Sequence, residues 1–86
     1  MSRLGVRYFF NLAGAVHDPD NEGCELASIS DARIESVKVA SEYLPDRPEV
    51  VWLGDEFRVE VTNSHRLVLF TFIALGVDAP ISIGRK

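Results

Sequence analysis

Hydrophobic and polar positions alternate at both ends of the chain and recur with helical spacing in the middle. At the start, Val6 to Leu12 (VRYFFNL) is rich in β-branched and aromatic residues and predicts a strand. Val6, Tyr8, Phe10 and Leu12 share one face; Arg7, Phe9 and Asn11 share the other. Ala13-Gly14 then predicts a turn and Ala15 to Asp18 a short return strand, which Pro19 ends by removing a ladder donor. Near the other end, Phe57 to Thr62 (FRVEVT) alternates strictly, with Phe57, Val59 and Val61 inward and Arg58, Glu60 and Thr62 outward. Leu67 to Ala74 predicts the next strand. A four-residue hairpin loop, Asn63-Ser64-His65-Arg66, sets Val61 opposite Val68, Val59 opposite Phe70 and Phe57 opposite Phe72.

Between these ends lies one helix. Ser28 followed by Asp31 fits a capping box, the serine oxygen accepting from a first-turn N–H while the carboxylate reaches back. At 100° per residue, Ile29, Ala32, Ser36, Ala40, Tyr43 and Leu44 fall on one side, flanked by Val37 and Val39. Asp31, Glu35, Lys38 and Glu42 fall opposite; Ile34 lies off the apolar side. Pro45 stops the helix, because the residue before proline is pushed out of the α region. Asp18 to Gly23 is a loop by composition, and Cys24 to Leu26 a short extended lead into the helix. Asp46 to Glu49 is a second loop. Val50 to Leu53 forms a short strand or an apolar stretch that tucks Trp52 onto the fold, before a turn at Gly54-Asp55.

The sum is β-β-α-β-β, an α+β two-layer sandwich in which one helix packs on one face of an antiparallel sheet of about four strands. The second sheet face is mixed: Phe9, Leu67, Leu69 and Ile73 stand among Arg7, Arg58, Glu60 and Thr71. One helix cannot cover both faces. Either the tail after Gly76 folds over the second face or another copy does, and a homodimer through that face or an edge strand is the expectation. The candidate interaction face is Arg7, Phe9, Arg58, Leu69, Thr71 and Ile73.

Composition narrows the picture further. The 86 residues predict a single domain over 1–86, with an ordered core at about 6–74. At 47% hydrophobic and 26% charged, the chain is globular rather than disordered. A net charge of −4 excludes a general nucleic-acid clamp, which needs a basic stripe. That acidity is concentrated in Asp18, Asp20, Glu22 and Glu25, in the helix and in the second connection, while the main strands are mildly basic. One cysteine, Cys24, excludes an intrachain disulfide and suits a reducing compartment. Arg7 interrupts the apolar start, so a secretory leader is not expected, and no run approaches the roughly 20 apolar residues of a membrane helix. The expected location is the cytoplasm.

Candidate chemistry is thin. Asp18-Pro19-Asp20-Asn21-Glu22-Gly23 mimics the first half of an EF-hand loop, with oxygens at positions 1, 3 and 5 and glycine at 6. The glutamate needed at position 12 falls on Ile29, and a strand rather than a helix precedes Asp18, so no metal is assigned. Cys24 lies beside Glu25 and near Glu22, whose charge opposes thiolate formation, and reads as a small apolar filler rather than a nucleophile. His17 flanks the same loop and His65 sits at a hairpin tip; neither has a Ser–His–acid context. Glycines are dispersed singly, so there is no phosphate loop and no cofactor is expected. Tyr8-Phe9-Phe10 invites base stacking, but only Phe9 is on the open face, with Arg7 and Arg58 beside it. Nucleic-acid binding is therefore not the expectation.

Three segments carry a resemblance: Arg7-Tyr8-Phe9-Phe10-Asn11-Leu12, the loop Asp20-Asn21-Glu22-Gly23-Cys24-Glu25-Leu26, and the closing Val59-Glu60-Val61-Thr62-Asn63 hairpin after an alanine-containing helix. Together they resemble, over about residues 6–74, the small bacterial proteins grouped as Domain of unknown function 6894. The family pattern places a glycine in the closing turn; Ser64-His65-Arg66 has none. The resemblance implies no activity, substrate or functional residue. The functional expectation is a non-catalytic protein that acts by self-association or protein–protein interaction. The alternative is a regulatory nucleic-acid-linked module of HicB-like antitoxin type, which rests on β-β-α order alone, with a small enzyme third.

Overall fold

The computed structural model describes residues 5–80; the sequence expectations for residues 81–86 lie outside them. The elements run β1 (Val6–Gly14), β2 (Cys24–Leu26), α1 (Ile29–Tyr43), a 3-10 turn (Pro48–Trp52), β3 (Phe57–Thr62) and β4 (Val68–Ala74). They form one open four-stranded sheet in the order β2-β1-β3-β4, every neighbour antiparallel, with α1 on one face. The α+β two-layer architecture is as the sequence predicts.

Alternation assigns the faces correctly. Tyr8, Phe10 and Leu12 of β1 and Phe57, Val59 and Val61 of β3 are buried beneath α1. Val6, expected with them, is exposed. Ala32, Ser36 and Ala40 bury the inner side of α1, and Tyr43 stacks on Phe57 with ring centroids 5.5 Å apart. Small residues on that side let the helix approach the sheet closely. Buried Ser36 is satisfied, its Oγ donating to the Arg33 carbonyl at 2.7 Å. Ser28 is the N-cap: its Oγ accepts from the Asp31 N–H at 3.1 Å. The reciprocal Asp31 bond of a full box is not formed among the described residues.

Three expectations need correction. The second strand is Cys24–Leu26, not Ala15–Asp18; the latter keeps one bridge, Leu12 with Asp18. Val50 to Leu53 is no strand: Pro48–Trp52 makes a 3-10 turn that buries Val50 completely. Trp52 stays largely exposed, its ring against Gly76, whose N–H donates to the Val51 carbonyl at 2.8 Å. Gly76 is thus held at this turn rather than across the second sheet face.

The third correction is the hairpin register. Val61 lies opposite Phe70, Val59 opposite Phe72 and Phe57 opposite Ala74, two residues from the expected pairing. From Phe70 onward a two-residue shift keeps every side chain on its face, so alternation alone cannot detect it; Val68, expected inward opposite Val61, instead pairs with Thr62 and is exposed. The closing turn explains the shift. Asn63 Oδ1 accepts from the His65 and Leu67 N–H groups at 2.8 and 3.1 Å, and the Asn63 N–H donates to the Leu67 carbonyl. The loop thereby lengthens to Asn63–Leu67. Thr62 then pairs with Val68 while Val61 pairs with Phe70, leaving Leu69 as an extra residue on β4. The turn closes through Arg66 at φ +65°, a left-handed conformation that glycine adopts without cost.

Two stability measurements follow from this packing. Val59→Ala empties a fully buried site and lowers unfolding stability in urea by about 2–3 kcal/mol. Arg66→Gly relieves the left-handed backbone and raises it by roughly 0.5–1 kcal/mol after the entropy of the unfolded glycine is offset.

Candidate functional site

The acidic loop is a staple. Asp20 Oδ2 accepts from the Phe10 N–H at 3.0 Å, and Oδ1 accepts from the Glu22 and Gly23 N–H groups at 3.0 and 3.1 Å. In return the Asp20 N–H donates to Asn11 Oδ1 at 2.9 Å. The Asn11 amide donates onward to the Glu60 carbonyl at 2.9 Å and to Thr62 Oγ1 at 3.2 Å. Partial burial pushes the Asp20 carboxyl upward, but the N–H groups of Phe10, Gly23 and Glu22 and the charge of Arg7 outweigh it. The net effect holds Asp20 below the ordinary carboxylate range. Gly23 must pass close: at φ +74°, a Cβ there would sit 2.9 Å from Arg7 Cγ and from Phe9 Cε2.

This staple completes the outer edge of β1. Val6–Tyr8 pair with β2, Phe10 gives its N–H to Asp20, and Leu12 exchanges backbone bonds of 3.0 Å with Asp18. Composition marks this segment only as a loop; in the structure its central acid, Asp20, accepts from three backbone N–H groups. The only hint was the spacing Asp-x-x-Gly, a short acceptor followed by a residue free to turn back. Among the described residues, no three His, Cys, Asp or Glu side chains gather into a metal-binding group. Cys24 is half-buried in β2 against the core, His17 is exposed on the loop, and His65 is exposed at the hairpin tip.

The open face reads as rows across β1, β3 and β4: Ala13–Arg58–Ile73, Asn11–Glu60–Thr71 and Phe9–Thr62–Val68. All six candidate interaction residues lie on this side of the sheet, but they divide. Arg7 and Phe9 lie under the loop; Arg7 Nη1 donates to the Glu22 carbonyl at 2.7 Å. Arg58 is held by Glu60 at 3.0 Å and Glu56 at 3.5 Å. Leu69, Thr71 and Ile73 are exposed on β4. Between loop and hairpin lies a groove of about 540 Å³, walled by His17, Pro19 and Asp20 and floored by Asn11, Arg58 and Glu60. Asn11, Thr62, Arg58 and Glu60 are already bonded to one another or to backbone, so the floor is a closed polar network.

The sharper feature is the outer edge of β4. Among the described residues nothing pairs with it. From Leu67 to Val77 there is no Asp, Glu, Lys, Arg or Pro. Val68, Leu69 and Ile73 are 56%, 39% and 50% exposed. Backbone direction follows from the alternation. The backbone bonding groups of Phe10 and Leu12 are directed away from β3, to Asp20 and Asp18, so those of Phe9, Asn11 and Ala13 meet Thr62, Glu60 and Arg58. Phe57, Val59 and Val61 then bond to Ala74, Phe72 and Phe70. Thr71 and Ile73 are left with N–H and C=O groups directed off the sheet. Sequence reasoning names both side chains without this backbone role; the uncharged run was the available signal.

The Asp20 staple sets a pH dependence. Its carboxyl titrates lower in the folded chain than in the unfolded one. It therefore favours folding above about pH 3.9, and that contribution is lost as pH falls through the lower folded value. Asp20→Ala lowers unfolding stability by about 1–3 kcal/mol at pH 7. Urea melts at pH 7 and below pH 4 test this: the gap between native chain and variant narrows in acid.

In comparison with known proteins, the family described as Domain of unknown function (DUF6894) matches residues 7–75, and the chain belongs to that family. No curated protein and no solved structure matches.

Proposed function

We propose that this family member acts without catalysis, as an association module that adds its β4 edge to a strand of a partner. The observation that carries the reading is the contrast between the two sheet edges. On the β2 side the edge strand has three residues, carries exposed Glu25, and is continued by the Asp18–Asp20 staple. On the β4 side seven residues run free of charge and proline, with exposed aliphatic side chains. Proteins ordinarily blunt such an edge with charge, proline or a cover, because its backbone groups template strand pairing. Blunting one edge and leaving the other open suits strand addition, in which backbone bonds give affinity and alternate side chains give selectivity. The open face favours this over a phosphate ligand, since Arg7 and Arg58 are already engaged by acceptors within the fold.

Hydrogen exchange by mass spectrometry on the chain at low micromolar concentration tests the edge. The probe is a lysine-flanked peptide bearing Leu67–Leu75. The expected result is slowed exchange in β4, with no effect from the same peptide carrying Thr71→Pro. Protection confined to β2 or to the groove, or none at all, would overturn the proposal.

A further inference from the structure

We infer that the strand received at the β4 edge is β4 of a second copy, paired antiparallel about a two-fold axis through Thr71. This rests on the edge-association reading and names its partner. The first support is the order of residues: Leu69-Phe70-Thr71-Phe72-Ile73 reads nearly the same from either direction. In an antiparallel pair centred on Thr71, Thr71 meets Thr71 of the second copy. Phe70 meets Phe72, and Leu69 meets Ile73. Each class of side chain meets its own class, on both faces, twice over. An isologous interface demands that self-complementarity.

Backbone geometry selects the same centre. An outward-directed residue must face another outward-directed residue, so the axis must pass through Phe70, Thr71, Phe72 or Ile73 for the strands to overlap well, and an axis at Phe70 sets Leu69 against Thr71 and Val68 against Phe72. An axis at Phe72 sets Thr71 against Ile73 and Phe70 against Ala74. An axis at Ile73 sets Thr71 against Leu75. Only the Thr71 axis overlaps β4 along its whole length and matches like with like. There Thr71 forms the hydrogen-bonded pair on the axis. The Phe70–Phe72 pairs fall at non-hydrogen-bonded positions, where cross-strand side chains come closest. Both rings are only half-buried although they lie on the helix-covered face, so each has surface to give to a partner ring. No like charges oppose one another along the pair, and Glu60, which lies opposite Thr71 on β3, is matched within its own copy by Arg58 at 3.0 Å.

Sedimentation velocity on the full chain and two charge variants tests the axis. The native chain is expected to dimerise at micromolar concentration. Thr71→Lys and Thr71→Glu each set like charges face to face on the axis and are expected to weaken dimerisation at least tenfold. Thr71 is exposed, so both variants keep the native fold, checked by circular dichroism. Mixing the two restores a dimer, because only a residue that faces itself turns self-repulsion into attraction between different copies. A native chain that stays monomeric while the strand peptide still protects β4 overturns the second-copy inference and leaves the edge reading standing. A native dimer that neither variant weakens, or that mixing does not restore, overturns the Thr71 axis.

Discussion

One carboxylate completes the edge of this sheet. The strand beside β1 is only three residues long, so β1 would otherwise expose the Phe10 N–H at its middle. Asp20 accepts that N–H, and with its other oxygen folds Glu22 and Gly23 back toward β2. Asn11 ties the same loop to β3 from the opposite side, through bonds to Asp20, Glu60 and Thr62. The start of β2, the lead into the Ser28 cap and one wall of the groove all descend from this arrangement. A buried or partly buried backbone donor left without an acceptor is costly, which makes one well-placed acid worth more than several surface ion pairs.

The two sides of the molecule therefore differ in kind. On the β2 side, charge and side-chain hydrogen bonds finish the sheet. On the β4 side no further strand pairs among the described residues, and aliphatic side chains surround the edge. Net acidity follows the same division: the loop and helix layers carry the negative charge, and the long strands carry little. A global value of −4 hides this, because it averages a charged margin with an uncharged one.

What was legible in the sequence was whatever has a local period. Alternation in Tyr8–Leu12 and Phe57–Val61, helical spacing from Ala32 to Ala40, and the Ser28 cap placed the two layers and their inner faces. Contacts made by side chains across distance were not legible. Asn63 lengthens its turn with an amide oxygen, and the hairpin register moves by two residues, keeping Phe70, Phe72 and Ala74 on the inner face while Val68 turns outward. Asp20 reaches ten residues back to Phe10, so the extended piece before the helix becomes a strand while Ala15–Asp18 does not. The candidate face was legible as a set of residues, but its division was not. Arg7 and Phe9 lie under a loop whose closeness depends on Gly23, whereas Thr71 and Ile73 owe their interest to backbone direction, which composition does not encode.

The 3-10 turn at Pro48–Trp52 has an optical consequence. Trp52 is the only tryptophan of the chain, and its ring rests against Gly76, two residues beyond the end of β4. With 59% of its surface in water, the indole straddles solvent and protein, where its emission wavelength responds to small displacements. The hydrogen bond from Gly76 to Val51 holds the strand's exit beside the chromophore. Intrinsic fluorescence therefore reports on the end of β4 without an added label, and sets that strand apart spectroscopically from the rest of the sheet.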